Sequence, residues 1–111
     1  MGRLVIFSLM VLILSSADAA LYKGQKEYVK RCSKCHSDGH TFISKKTSTE
    51  WREYMKNSAE ELVKAHLNSS DENAKNSFDY FKNNKHEKNA NHLIEFLMEY
   101  AKDSGKVPAC N

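Results

Sequence analysis

Two cysteines and a histidine lie within five consecutive residues of this 111-residue chain, as Cys32, Cys35 and His36. The C-x-x-C-H spacing is typical of the covalent attachment of a c-type haem. On a helix, residues three and four apart project from the same side, so both thiols and the imidazole would face one ligand. The thiols would form thioethers with the haem vinyl groups, and His36 would bind the iron. A single copy of the motif predicts one haem.

The first nineteen residues (1–19) have the pattern of a cleaved export signal. A basic residue precedes an apolar run of about eleven residues, Leu4 to Leu14, which has the length of a signal h-region and is short for a transmembrane anchor. Ala17 and Ala19 fit an A-x-A cleavage site. We expect cleavage after Ala19 and export of one domain, residues 20–111, to the periplasm without a membrane anchor. An uncleaved helix is the alternative.

The charged residues are dispersed rather than clustered. The formal net charge is +3, from 17 Lys and Arg against 14 Asp and Glu. A dispersed lysine surface favours solubility and suits transient docking onto a redox partner with an acidic surface. The absence of a dense basic block argues against nucleic-acid binding.

Strand signals are almost absent, and helix start signals recur, so we predict an all-α fold of four or five short helices. Thr47 and Glu50 have the spacing of a capping box, and Ser58 and Glu61 repeat it after a break near Asn57. The remaining predicted features, in chain order, are a helix over 22–35, a loop over 37–46, a short helix from Asp71, a turn at 83–85, and a helix over 90–102 that Gly105 ends.

Gly24 and Tyr28 precede the cysteine motif at four-residue steps, and this segment resembles the N-terminal helix of small monohaem cytochromes c of the bacterial periplasm. The segment His92–Leu97 resembles the C-terminal helix of that family. The resemblance implies a cytochrome c-like fold around one covalent haem. It also implies a helix crossing at which Gly24 and Tyr28 meet Phe96 or Leu97. The implied function is electron transfer in the periplasm, which requires no substrate-converting residues, so we do not expect an enzyme.

The chain departs from the family pattern in two places. No proline lies between His36 and Pro108, although the family uses a proline carbonyl to orient the haem histidine. No methionine lies in the region Asn76–Asn91, where the family places its second iron ligand. The His/Met ligand pair is therefore not expected here. Residues 103–111 form a short C-terminal extension beyond the usual end of the family.

The sixth iron ligand is expected to be His66. It recurs at helical spacing with Trp51, Met55 and Leu62, and that stripe should face the interior. Met55 on the same stripe and His86 in a polar turn are the alternatives. A histidine pair would give a lower potential than a His/Met pair, since the thioether raises the potential.

Other residues have weaker or supporting roles. Two histidines are poorer ligand candidates because one follows the motif too closely and the other only precedes the last apolar face: His40 and His92. Tyr28 and Trp51 are expected to pack against the haem. Cys110 is an odd cysteine, which either forms an intermolecular disulfide or is a tolerated thiol in the tail.

Other functions remain open at this point. The chain is alternatively a haem protein that binds or senses a small ligand, which needs a vacant or displaceable sixth position, or the cytochrome subunit of a larger oxidoreductase. A thiol–disulfide pair would be expected after a strand, and no strand signal precedes the motif. A zinc site from Cys32, Cys35, His36 and His40 has no recognised ligand spacing.

Overall fold

The computed structural model describes residues 14–108, with side chains from Ala19 onward. In this range all regular structure is helical and no strand occurs, which confirms the all-α prediction. The α-helices are α1 (Leu14–Arg31), α2 (Ser33–His36), α3 (Gly39–Ile43), α4 (Ser48–Tyr54), α5 (Lys56–Leu67), α6 (Phe78–Lys82) and α7 (Ala90–Glu99). Two 3₁₀ segments, Glu72–Ser77 and Lys85–Asn89, flank α6. The chain is divided into more and shorter helices than predicted.

The packing of α1 against α7 is the most extensive helix contact in the described part of the chain. It depends on Gly24, because a Cβ atom there would lie 2.1 Å from the His92 carbonyl oxygen and 2.6 Å from the Phe96 Cβ. One helical turn further on, the rings of Tyr28 and Phe96 have centroids 5.8 Å apart. The predicted crossing of the two terminal helices at Gly24 is therefore confirmed.

The core forms around this crossing. The helices bury one connected apolar cluster: Tyr28, Ile43, Trp51, Met55, Ala59, Leu93, Phe96, Leu97 and Ala101. Pro108 in the C-terminal extension is also fully buried. Further back in the extension, the Ser48 amide donates to the Asp103 carboxylate (2.8 Å). The described part of the extension therefore folds back onto the domain.

The predicted loop over 37–46 is wrong, since the chain forms α3 there. Asp38 caps this helix by accepting from the His40 amide (3.0 Å). Ile43 at its end is fully buried, and its carbonyl accepts the indole N–H of Trp51 (2.8 Å). The segment was too short for its helical periodicity to be recognised, and its burial against Trp51 stabilises it instead.

The capping box of α4 forms as predicted. The Thr47 hydroxyl accepts from the Glu50 amide, and the Glu50 carboxylate accepts from the Thr47 amide, both at 3.2 Å. This arrangement satisfies two amides that the first helical turn leaves without partners.

The chain breaks near Asn57, as predicted, but by a different mechanism. Asn57, Ser58 and Ala59 have φ values of 53° to 61°, a left-handed conformation that costs roughly 1–2 kcal/mol for each non-glycine residue. The predicted capping box of Ser58 and Glu61 is wrong, because an N-cap residue needs an extended backbone and Ser58 is left-handed.

The C-terminal half follows the predicted order with shifted boundaries. Asp71 caps a 3₁₀ segment rather than an α-helix, by accepting from the Asn73 amide (2.9 Å). The predicted turn is present, with Asn84 in the left-handed region (φ 56°). The last helix ends at Glu99, before the predicted stop at Gly105.

In the described part of the chain, no helix is both long enough and apolar enough to cross a membrane. Residues 1–13, which carry most of the predicted export signal, lie outside the described residues, as does Cys110. The predictions of cleavage and of a disulfide through Cys110 therefore stay predictions.

Candidate functional site

A cavity of about 510 Å³ lies among the seven α-helices and the 3₁₀ segment Glu72–Ser77. This volume is within the range of pockets that hold organic ligands and cofactors. Its lining includes both motif thiols, two histidines and six aromatic side chains: Cys32, Cys35, His36, His66, Tyr28, Phe42, Trp51, Tyr54, Tyr80 and Phe81. The cavity therefore brings together the residues that the sequence selected for their chemistry.

The cysteine motif lies on one tight helical turn. The amides of Cys35 and His36 both donate to the Cys32 carbonyl, at 3.1 and 2.9 Å. The predicted helix over 22–35 is interrupted after Arg31, and α2 continues it from Ser33. This turn places the three motif side chains on the cavity wall, with Cys32 half-buried and Cys35 exposed.

The thiol of Cys32 does not have the environment of a redox-active cysteine. Burial raises its pKa to about 12, and the nearby charge of Glu27 adds to the effect. A thiol of this kind is protonated at neutral pH, whereas disulfide oxidoreductases depend on a thiolate with a lowered pKa. Cys32 is therefore unsuited to act as the attacking thiol in thiol–disulfide exchange.

Among the side chains that the structure describes, residues 19–108, a metal site made of protein ligands alone is not formed either. No three side chains of His, Cys, Asp or Glu in this range converge on a point that could hold a metal ion. A cofactor that brings its own equatorial ligands would need only one or two protein side chains.

His36 and His66 are close together in the cavity. Their ring centroids are 6.1 Å apart, with the ring planes at 86°. His36 stacks on Phe42 (centroids 4.0 Å apart), and His66 packs on Phe81 (4.6 Å). Two residues thirty positions apart in sequence are thus brought together by the packing of α5 over the cavity, and an aromatic ring orients each imidazole.

A hydrogen bond orients the ring of His66. Nδ1 of His66 lies 2.7 Å from the Leu62 carbonyl oxygen, which only accepts, so Nδ1 donates in this bond and Nε2 is the other ring nitrogen that could bind a metal. Such a second hydrogen bond orients metal-binding histidines in many proteins. Burial lowers the pKa of His36, and the neighbouring His66 and Lys45 lower it further. His36 is therefore neutral at physiological pH.

The two aromatic residues predicted to pack on a cofactor both line the cavity. Tyr28 and Trp51 are almost fully buried, and the Trp51 indole N–H is occupied by the Ile43 carbonyl. The sequence missed Phe42, which lies in the predicted loop. Its position next to Ile43 was the only signal that this segment has an apolar side.

Met55 and His86 lie elsewhere. Met55 is packed in the core and does not line the cavity. His86 is 4% exposed and also lies outside the lining; its Nε2 donates to the Ser58 carbonyl at 3.1 Å. This bond links the segment before α7 to the left-handed residues that begin α5, so His86 has a structural contact where the sequence suggested a polar turn.

Cations lie at the edge of the cavity, and the sequence did not single them out for the site. Arg31, Lys45 and Lys46 contribute to the lining. The Lys46 ammonium also lies over the ring of Tyr54, 4.8 Å from its centroid. A ligand with an apolar body and acidic groups would find cationic partners in this lining, in which Asp71 is the acidic residue.

Comparison with known proteins identifies no relative. No family model, no curated protein and no solved structure matches the chain.

Proposed function

We propose that this protein is a c-type cytochrome with a cytochrome c-like fold, and that His36 and His66 bind the two axial positions of one covalent haem. The observation that carries this proposal is the pair of imidazoles 6.1 Å apart in a cavity that Cys32 and Cys35 also line. When two imidazoles bind one metal, their ring centroids are separated by two nitrogen–metal bonds of about 2 Å each plus the distance from each ligating nitrogen to its own ring centroid. The total separation of the centroids is about 6 Å. The distance between the ring centroids therefore matches the distance that one iron atom bound by both imidazoles would require.

The remaining lining supports the same proposal. The aromatic side chains suit the faces of a macrocycle, and the cations at the edge suit its two carboxylates. Phe42 stacks on His36 and so limits its ring rotation, a role that the family gives to a proline carbonyl. A bound haem would supply a single iron that gains or loses one electron.

A histidine on each side of the iron favours electron transfer over ligand binding. If both axial positions are occupied, no position is open for a gas or a substrate. We therefore infer that the protein carries electrons in the periplasm between redox partners with acidic docking surfaces. Haem-based ligand sensing is the second candidate, and it requires that His66 dissociates. A role as the cytochrome subunit of a larger oxidoreductase involves the same haem site.

The test is a spectrum of the exported protein, produced in a host that attaches haem c. We expect one haem per chain, which remains bound after denaturation, and a low-spin ferrous spectrum that carbon monoxide leaves unchanged. A chain that takes up no haem under these conditions contradicts the proposal. Rapid binding of carbon monoxide to the ferrous protein would instead support the sensing function.

Replacing both motif cysteines is expected to abolish the covalent link. In a Cys32→Ala, Cys35→Ala variant, haem staining of a denaturing gel should lose the band at the position of the protein, because no thioether remains. Cys110→Ala is the matched control, since it removes a cysteine outside the motif, and it should keep the stained band. Equal loss of staining in the control would contradict the assignment of the two thioethers.

A further inference from the structure

Glu27 is a buried acid that the proposed electron-transfer site does not use as a ligand. It is 7% exposed, on α1. Its carboxylate accepts a hydrogen bond from the Tyr80 hydroxyl (2.6 Å) and another from the Asn89 side-chain amide (2.9 Å). A carboxyl group that accepts at both oxygens has the hydrogen-bonding pattern of the ionised form. Both donors are neutral groups, so in the described part of the chain no ion pair cancels this charge.

The carboxylate lies directly behind the cavity. Tyr80, which donates to it, is part of the cavity lining. The negative charge of Glu27 also contributes to the raised pKa of the Cys32 thiol, so its field reaches the motif. The cations around it are Arg31, whose guanidinium lies over the Tyr80 ring, 4.7 Å from its centroid, and the lysines of a surface groove that Glu27 also lines: Lys23, Lys26, Lys30 and Lys88. All five are exposed, and water screens an exposed charge more strongly than a buried one.

We propose that Glu27 lowers the midpoint potential of the haem bound at Cys32, Cys35 and His36. This inference rests on the proposed function, because it assumes that haem. Oxidation adds one positive charge in the cavity. A fixed anion in a low-dielectric surrounding stabilises that charge, and therefore stabilises the oxidised state. Glu27 acts in addition to the axial ligands, which set the main range of the potential.

The first test is Glu27→Gln, which removes the charge and keeps the size and the Tyr80 hydrogen bond. Its midpoint potential, measured by spectroelectrochemical titration of the haem-loaded protein, should shift upward. Glu95→Gln makes the same charge change at an exposed position of α7 and should leave the potential unchanged. An unchanged potential in Glu27→Gln, or an equal shift in the control, overturns the inference.

Two further variants separate charge from packing. Glu27→Gln combined with Asn89→Asp exchanges the acid and the amide across one hydrogen bond, so the potential should return toward the wild-type value. Asn89→Lys leaves Glu27 in place and introduces an ammonium beside the Glu27 carboxylate. Residues 27 and 89 line the same surface groove, so a lysine at position 89 can reach this carboxylate from the groove. The potential of this variant should shift upward as well, which keeps the test decisive if Glu27→Gln does not fold. A shift in neither direction overturns the inference.

The failure of this inference and the failure of the proposed function give different results. If the wild-type chain takes up no haem, the proposed function fails. If the wild-type chain and the variants load equal amounts of haem and have equal potentials, only the role of Glu27 fails.

Discussion

Replacing His66 by alanine is expected to open one coordination position of the iron without releasing the haem. Cys32, Cys35 and His36 remain in His66→Ala, so the covalent haem and one axial ligand persist. The spectrum should change from low-spin to high-spin, and carbon monoxide should bind to the ferrous protein. Absorption spectra of the ferric and ferrous forms, with and without carbon monoxide, measure both effects.

A matched control and a replacement ligand sharpen this prediction. His40→Ala removes an imidazole from an exposed position on α3 and should leave the spectrum unchanged. His66→Met offers a thioether at the same position, and the midpoint potential of the haem in this variant should rise. Axial ligands change haem potentials over a range of about 0.8 V, and the rise should be a sizeable part of that range. If His66→Ala stays low-spin and does not react with carbon monoxide, His66 is not the ligand, and His86 and Met55 become the candidates.

Gly24→Ala is expected to destabilise the whole domain. The added Cβ would lie 2.1 Å from the His92 carbonyl oxygen and 2.6 Å from the Phe96 Cβ. One of these groups is backbone and the other is attached directly to it, so only a separation of α1 and α7 relieves the overlap. Overpacking that forces the backbone to shift typically costs about 1–3 kcal/mol, and we expect a cost near the upper end of this range because two contacts overlap. Urea unfolding followed by circular dichroism should show a lower midpoint.

The sign of this effect separates packing from helix propensity. On propensity alone, alanine in a helix is about 1 kcal/mol more favourable than glycine, so an uncrowded site would gain stability. Gly105→Ala makes the same substitution in open space, where only the positive φ of 70° opposes the side chain, and this conformation alone should cost about 1–2 kcal/mol. A Gly24→Ala protein as stable as the wild type would show that the two helices do not meet at this glycine.

Several elements were predictable because their causes are local. The capping box of Thr47 and Glu50 joins residues three apart, so its formation follows from their spacing. The apolar side of α7 is long enough for its period to be recognised, and it places Phe96 and Leu97 in the core. The four-residue spacing of Gly24 and Tyr28 puts both on one side of α1, but it was the resemblance to the cytochrome family that implied a crossing with the last helix there.

Other elements were missed because their causes are tertiary. The helix α3 is too short to show a period, and it forms because Ile43 is buried and its carbonyl accepts from Trp51. The left-handed residues at 57–59 are unfavourable by themselves, and the sequence showed only that a break occurs. His86 was placed in a polar turn, yet packing buries it and directs its Nε2 to the Ser58 carbonyl.

The sequence by itself determined one side of the candidate site. Cys32, Cys35 and His36 lie within one helical turn, so a short helix is enough to present them together, and no distant residue is needed. The tertiary structure alone decided what faces them. His66 lies thirty residues further along, and its position depends on the break at 57–59 and on the packing of α5 beside Phe81. Packing therefore places His66, rather than another histidine, next to His36. Helical periodicity alone indicated only that His66 faces the interior.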